Sequence, residues 1–174
     1  MTYDHYRFVS LPWLAQIPCH WGLKPLKFLL SEMVSGGTPD TGDSTNWVQE
    51  ADGVPWVSIS DMTRSRIITA TEKRISSRAQ REQRLRVLQP GTLLYSMYAS
   101  VGKVARLAIP AVTNQAILGL LPREGKLDGQ FLERWLEHFE QHVLYLSSGN
   151  TQENLNLRKS AQFRCVSRHA RSRS

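Results

Sequence analysis

The chain has 174 residues, 41% of them hydrophobic, enough for one compact domain with a core of its own. No apolar run reaches the roughly 18 residues that cross a bilayer, and residues 1–7 lack the basic start and apolar stretch of a signal peptide. The two cysteines, Cys19 and Cys165, lie far apart and outside any C-x-x-C, so no disulfide framework is expected and a cytoplasmic location fits.

The net charge is +7, and its distribution says more than its size. Residues 1–63 carry 3 basic and 7 acidic side chains; residues 64–106 carry 10 and 2. Residues 107–157 carry 3 and 6, and residues 158–174 carry 6 and none. A central basic block between two acidic segments points to one face made for a polyanion.

In chain order, residues 1–22 read as an extended arm pinned to the surface by Phe8, Trp13 and Trp21, with Pro12 and Pro18 in it. Leu23, Leu26, Leu30 and Met33 recur at helical spacing and predict a short helix over 24–33. Gly36-Gly37-Thr38-Pro39 stops it. Residues 39–53 form a polar, turn-rich loop whose Trp47 is expected to pack back on the core. Asp40, Asp43 and Asp52 do not follow calcium-loop spacing, so no metal is expected there.

Residues 54–59 read as a strand, and Ile67-Ile68 as a second, with Arg64 and Arg66 between them. Ser76 or Ser77 is positioned to cap a helix running to about Val87, with Arg74, Arg78 and Arg81 on one face and Arg84 beyond. Residues 92–98, 104–109 and 116–121 are three short apolar runs with tight connections, a sheet core with Lys103 and Arg106 at its exposed edge. Residues 128–148 give the clearest helix, apolar at Phe131, Leu132, Trp135, Leu136, Phe139, Val143 and Leu146. Asp128 is its N-cap, Gly149-Asn150 its stop, and Glu133, Glu137, His138 and Glu140 its wet face. His138 and His142 are four apart, as in a zinc pair, but no third ligand accompanies them and they read as a solvated pair. The fold expected is α+β: a mixed, largely antiparallel sheet with flanking helices, in a domain over 1–157. The basic, Arg/Ser-biased tail over 158–174 is expected to be disordered.

No catalytic constellation emerges, and no cofactor is expected. Gly102-Lys103 is not a phosphate-binding loop, because Val104 stands where a Ser or Thr is required. Pro39-Asp40 with Glu124-Gly125-Lys126 sketches a metal-dependent nuclease, but the separation is long and the second piece reads as a turn. The basic block has the better chemistry. The arginine fork pairs with phosphate or with guanine O6 and N7, and Gln80 and Gln83 suit adenine N6 and N7. The expected DNA-binding set is Arg64, Arg66, Arg74, Arg78, Gln80, Arg81, Gln83, Arg84, Lys103 and Arg106.

Several short motifs occur in a fixed order: I-P-x-H-W at 17–21, S-G-G-T-P at 35–39 and V-P-W-V-S-I-S-D at 54–61. They continue with P-G-T-L-L-x-S at 90–96, S-x-G-K at 100–103, T-N-Q-A-I at 113–117 and G-N-T-Q-E-N-L at 149–155. Over residues 12–160 this pattern resembles the target-recognition domain of the specificity subunit of type I restriction–modification systems. The resemblance implies a non-catalytic DNA-reading component. It would direct a partner adenine methyltransferase subunit and a restriction subunit to a DNA half-site, or pair with a second copy of itself. The family pattern holds two such domains joined by long helices; one is present here, and a truncated chain is expected. The alternatives are a non-functional or regulatory remnant and, remotely, the nuclease.

Overall fold

The computed structural model describes residues 5–11, 14–49, 52–97, 100–147 and 164–168, with 141–147 and 164–168 as backbone. The first strands, β1 (Tyr6–Leu11) and β2 (Leu14–Pro18), form an antiparallel hairpin. Then follow β3 (Trp21–Pro25), a 3-10 turn at Leu26–Phe28 and β4 (Leu30–Ser35). This replaces the helix expected over 24–33. Proline at 25 would suit the first turn of a helix. What displaces the helix is the pairing of residues 30–35 with β12, which takes up the backbone groups a helix would use, and Leu26 turns into the core through the 3-10 turn. Beyond the turn β4 joins the sheet, and Met33 and Val34 pack on opposite cores.

After a 3-10 turn at Ser44–Asn46 come β5 (Trp47–Val48), β6 (Val54–Val57) and helix α1 (Ile59–Arg64). The chain continues through β7 (Ile67–Ile68), β8 (Lys73–Ile75) and helix α2 (Ser77–Glu82). Strands β9 (Leu93–Ser96), β10 (Val104–Leu107), β11 (Val112–Thr113) and β12 (Ile117–Pro122) lead to helix α3 (Gly129–Ser147). A last strand, β13 (Arg164–Arg168), within the basic tail, pairs antiparallel with β3. The rest of the tail and the 149–155 motif lie outside the described residues.

Two sheets carry the domain, one of five strands in the order β4-β12-β9-β10-β7 and one of four in the order β11-β6-β8-β5. Pairing is antiparallel except at β10–β7 and β11–β6, the mixed, largely antiparallel α+β arrangement the sequence predicts. Strands β9 and β12 are buried on both faces, which is why they read as continuous apolar runs. Leu93, Tyr95, Leu118 and Leu120 face α3 residues Leu132 and Leu136. Leu94 and Ile117 face the opposite core with Val57, Met62 and Leu107. Trp56, Ile75, Leu85 and Val112 form a third core on the smaller sheet, and Trp47 packs against it as expected. Among the described residues no helix is long and apolar enough to cross a membrane.

The two sheets meet where β4 leaves the larger one and β11 hands over to β12. Gly36 donates to the Ile117 carbonyl at 3.3 Å, and Gly37 to the Thr113 carbonyl at 2.8 Å. A Cβ on Gly36 would lie 2.1 Å from the Thr113 carbonyl oxygen and 2.3 Å from that of Asn114. Thr38 hydrogen-bonds Gln115, the Asn114 side chain accepts from the Ala116 N–H at 3.0 Å, and the Trp56 indole donates to the Gly37 carbonyl at 2.9 Å. The 35–39 and 113–117 motifs are thus the two halves of one clasp, in which only glycine fits at 36. Replacing Gly36 by alanine forces backbone, not a side-chain tip, to move. Urea unfolding of Gly36→Ala is expected to show a loss of about 3 kcal/mol or more, and a loss below about 0.5 kcal/mol would mean that the clasp yields freely.

Candidate nucleic-acid interface

Helix α2 is shorter than the helix the sequence predicts. The Ser76 hydroxyl caps its start by accepting from the Ala79 N–H at 3.2 Å. Its end is a Schellman turn: the Arg84 N–H donates to the Arg81 carbonyl and the Leu85 N–H to the Gln80 carbonyl, both at 3.0 Å. The residue at the left-handed position is Arg84, with φ 52°, where glycine is the usual occupant. The chain cannot continue helically because Leu85 drops into the third core and Leu88 bridges to Ala111.

Each member of the expected DNA-binding set now has a place. Arg78 donates to the Thr45 hydroxyl at 2.8 Å and lies 3.5 Å from Asp43 and 3.7 Å from Glu82. Asp43 itself accepts from the Thr45 hydroxyl and N–H, and these bonds, with Arg78 adding less, hold its carboxyl below the usual carboxylate range. Arg74 lies on β8, not on the helix face expected for it, and its guanidinium donates to the Gly53 carbonyl at 2.6 Å. The Gln80 amide hydrogen-bonds the Leu85 carbonyl and so closes the turn from within. Arg81, Gln83 and Arg84 are exposed and have no side-chain hydrogen bond or ion pair among the described residues.

The exposed sheet edge expected at Lys103 and Arg106 is not one, because β10 lies inside the sheet between β9 and β7. Lys103 pairs with Glu140 at 2.6 Å, Arg66 with Glu137 at 2.6 Å, and Arg106 with Glu133. The three glutamates stand at steps of four and three, one stripe of α3. This stripe, expected to face only water, ties the helix to β10 and the segment before β7. Gly102 makes the approach possible, because a Cβ there would lie 3.2 Å from the Glu140 Cα and its φ is 92°. Beneath the stripe, burial and then the Glu140 charge push the Tyr95 phenol above its usual range. Arg64 pairs with Glu72 at 3.0 Å and approaches the buried Asp61, whose carboxylate closes the capping box of α1. Spacing alone could have found the glutamate stripe; nothing in the local sequence named its three partners.

The nuclease sketch finds no support in the geometry. Asp40 accepts from the Gly42 N–H at 2.9 Å within its own turn. Glu124 lies in the turn that Lys126 closes on Arg123, just before α3. Among the described residues no three His, Cys, Asp or Glu side chains gather where a metal could be held.

No protein-family model matches the chain. It is 30% identical over 114 residues to the type I restriction enzyme MjaIX specificity subunit of Methanocaldococcus jannaschii, covering 64% of this chain and 26% of that protein. It is 28% identical over 145 residues to the HindI specificity subunit of Haemophilus influenzae, covering 83% and 30%. Among solved structures, the HsdS subunit of Thermoanaerobacter tengcongensis superposes with a TM-score of 0.67 at 19% identity, over 91% of this chain and 35% of that one. A chain from a structure of the type I R-M system gives 0.71 at 18% identity, over 92% and 36%. The chain is therefore similar to type I specificity subunits in sequence and shares their fold. It spans about a quarter to a third of the length of the curated relatives it matches.

The paired cations carry a stability prediction. Arg106 and Glu133 are 30% and 25% exposed, whereas Arg66 is 75% exposed. Arg106→Ala leaves a half-buried carboxylate alone and is expected to cost about 1–3 kcal/mol in urea unfolding. Arg66→Ala is expected to cost under about 0.5 kcal/mol. Equal costs would mean that burial does not set the strength of these pairs.

Proposed function

We propose that residues 1–157 form a sequence-reading DNA-binding module without catalysis of its own, the specificity component of a type I restriction–modification system. In this reading it places a partner adenine methyltransferase subunit and a restriction subunit on a DNA half-site. A full split site would be read with a second module, either on the same chain or on a second copy. The observation that carries the proposal is the exposed basic face of α2 and its terminal turn, Arg78, Arg81 and Arg84, on a fold shared with specificity subunits.

The chemistry is that of polyanion binding. Arginines that neutralise phosphates release counterions, so affinity falls steeply with salt. Arg78 is pre-positioned by Thr45 and Asp43, which lowers the ordering cost of a contact. Lys103, Arg106 and Arg66, which already answer glutamates, contribute through their potential more than through direct contact.

The test is duplex binding across a salt series, with the chain and its cognate methyltransferase subunit together. Arg78→Glu with Arg81→Glu is expected to weaken binding at least about tenfold near 0.1 M salt and to make the log–log salt slope shallower by about 2. Unchanged binding would remove the basic face of α2 from the proposal.

A further inference from the structure

The proposed DNA-binding reading leaves open which side chains meet bases, and the geometry separates them. We infer that the Schellman turn at the end of α2 is the base-reading element, with Arg84 addressing a guanine edge and Arg81 and Gln83 beside it. This inference rests on the DNA-binding reading and adds to it a division of labour.

Three observations carry it. First, of the eight cations in the expected set, six are already engaged. Arg64, Arg66, Arg78, Lys103 and Arg106 have carboxylate partners, and Arg74 holds a carbonyl. Arg81 and Arg84 are the two left without a partner among the described residues, and Gln83 between them is equally unengaged. A side chain that reads a base must arrive with its donors uncommitted, because each donor already bonded has to be broken out first.

Second, Arg84 occupies a left-handed position at φ 52°. An L side chain there is disfavoured relative to glycine, and the turn makes no structural use of the guanidinium. Strain of this kind persists where the side chain serves something outside the fold. Third, the turn is rigidly mounted. The Gln80 amide closes it from within, and Leu85 is buried against Gly37 of the clasp, where a Cβ would lie 2.6 Å from the Leu85 Cδ2. A projecting, pre-organised turn bearing two free guanidinium forks and an amide suits base edges in the major groove, where arginine pairs with guanine O6 and N7. Phosphate contact alone requires neither the strain nor the rigidity.

The experiment is selection from random duplex DNA by the full chain with its methyltransferase subunit, for the wild type, Arg84→Lys and Arg84→Gly, with sequencing of what is retained. The wild type is expected to enrich a short motif containing guanine. Both variants are expected to lose the preference at one guanine position and keep it at the others. Affinity for the enriched site should fall roughly ten- to hundredfold, and affinity for unrelated duplex less than about threefold. Arg84→Gly is expected to raise the urea midpoint, because glycine suits the backbone there, so that its loss of preference cannot be loss of fold.

A uniform loss at all positions, with a shallower salt slope, would make Arg84 a phosphate contact; it would overturn the inference and leave the DNA-binding reading standing. Salt-sensitive retention by the wild type without any enriched motif would overturn the inference in the same way. No retention of duplex by the wild type at low salt would overturn the DNA-binding reading itself.

Discussion

Two crossings of the chain meet at Gly36, and the closeness of that meeting fixes what is built on it. β4 leaves the five-stranded sheet there as β11 hands over to β12, with two backbone carbonyl oxygens closer to the glycine than any side chain would allow. Because the contact is backbone on backbone, it has little freedom to adjust. Gly37, one residue on, supplies the carbonyl that orients Trp56 and the open face against which Leu85 packs. Leu85 in turn ends α2. A line of packed, bonded groups thus runs from the sheet junction to the turn that carries Arg84, and the position of that turn is set by the scaffold rather than by its own short helix. Six residues of helix would not hold a geometry unaided.

How much of this was legible in the sequence depended on whether the signal was local. The apolar runs behind β9, β10 and β12 were readable because strands buried on both faces leave uninterrupted hydrophobic stretches. Helix α3 was readable because its buried face repeats for five turns, and Asp128 caps it through the Phe131 N–H as its position suggested. The segment 24–33 misled because Leu26, Leu30 and Met33 do reach one core, but through a 3-10 turn and a strand, and the partner that makes residues 30–35 a strand, β12, lies about 90 residues on. The premature end of α2 was hidden for a different reason. Its stop residue is an arginine where a glycine would have announced it, and the cause, the burial of Leu85, lies in residues far away in sequence.

The charge pattern along the chain does not say what its cations meet. Residues 64–106 carry 10 basic and 2 acidic side chains, and the excess looks like a single surface. Three of its partners sit 27 to 71 residues downstream, in a segment read as separately acidic. Glu133, Glu137 and Glu140 answer Arg106, Arg66 and Lys103, so the two blocks cancel locally where helix meets sheet. Charge segregated along the chain is therefore not charge segregated in space. Of the arginines in 64–106, those whose side chains have no hydrogen bond or ion pair among the described residues are Arg81 and Arg84, at the end of α2.

That narrowing bears on how the domain separates holding its shape from presenting side chains to the outside. Groups that hold the shape are saturated: the clasp by backbone bonds, and α3 by ion pairs and a shared apolar core. A saturated group can change only with a partner, so it resists variation one residue at a time. The side chains of Arg81, Gln83 and Arg84 have no hydrogen bond or ion pair among the described residues, and a substitution at any of them leaves no internal side-chain partner stranded. The turn offers side chains that can change while the backbone presenting them stays fixed. That combination is what a surface needs if it is to acquire a new preference without losing its structure.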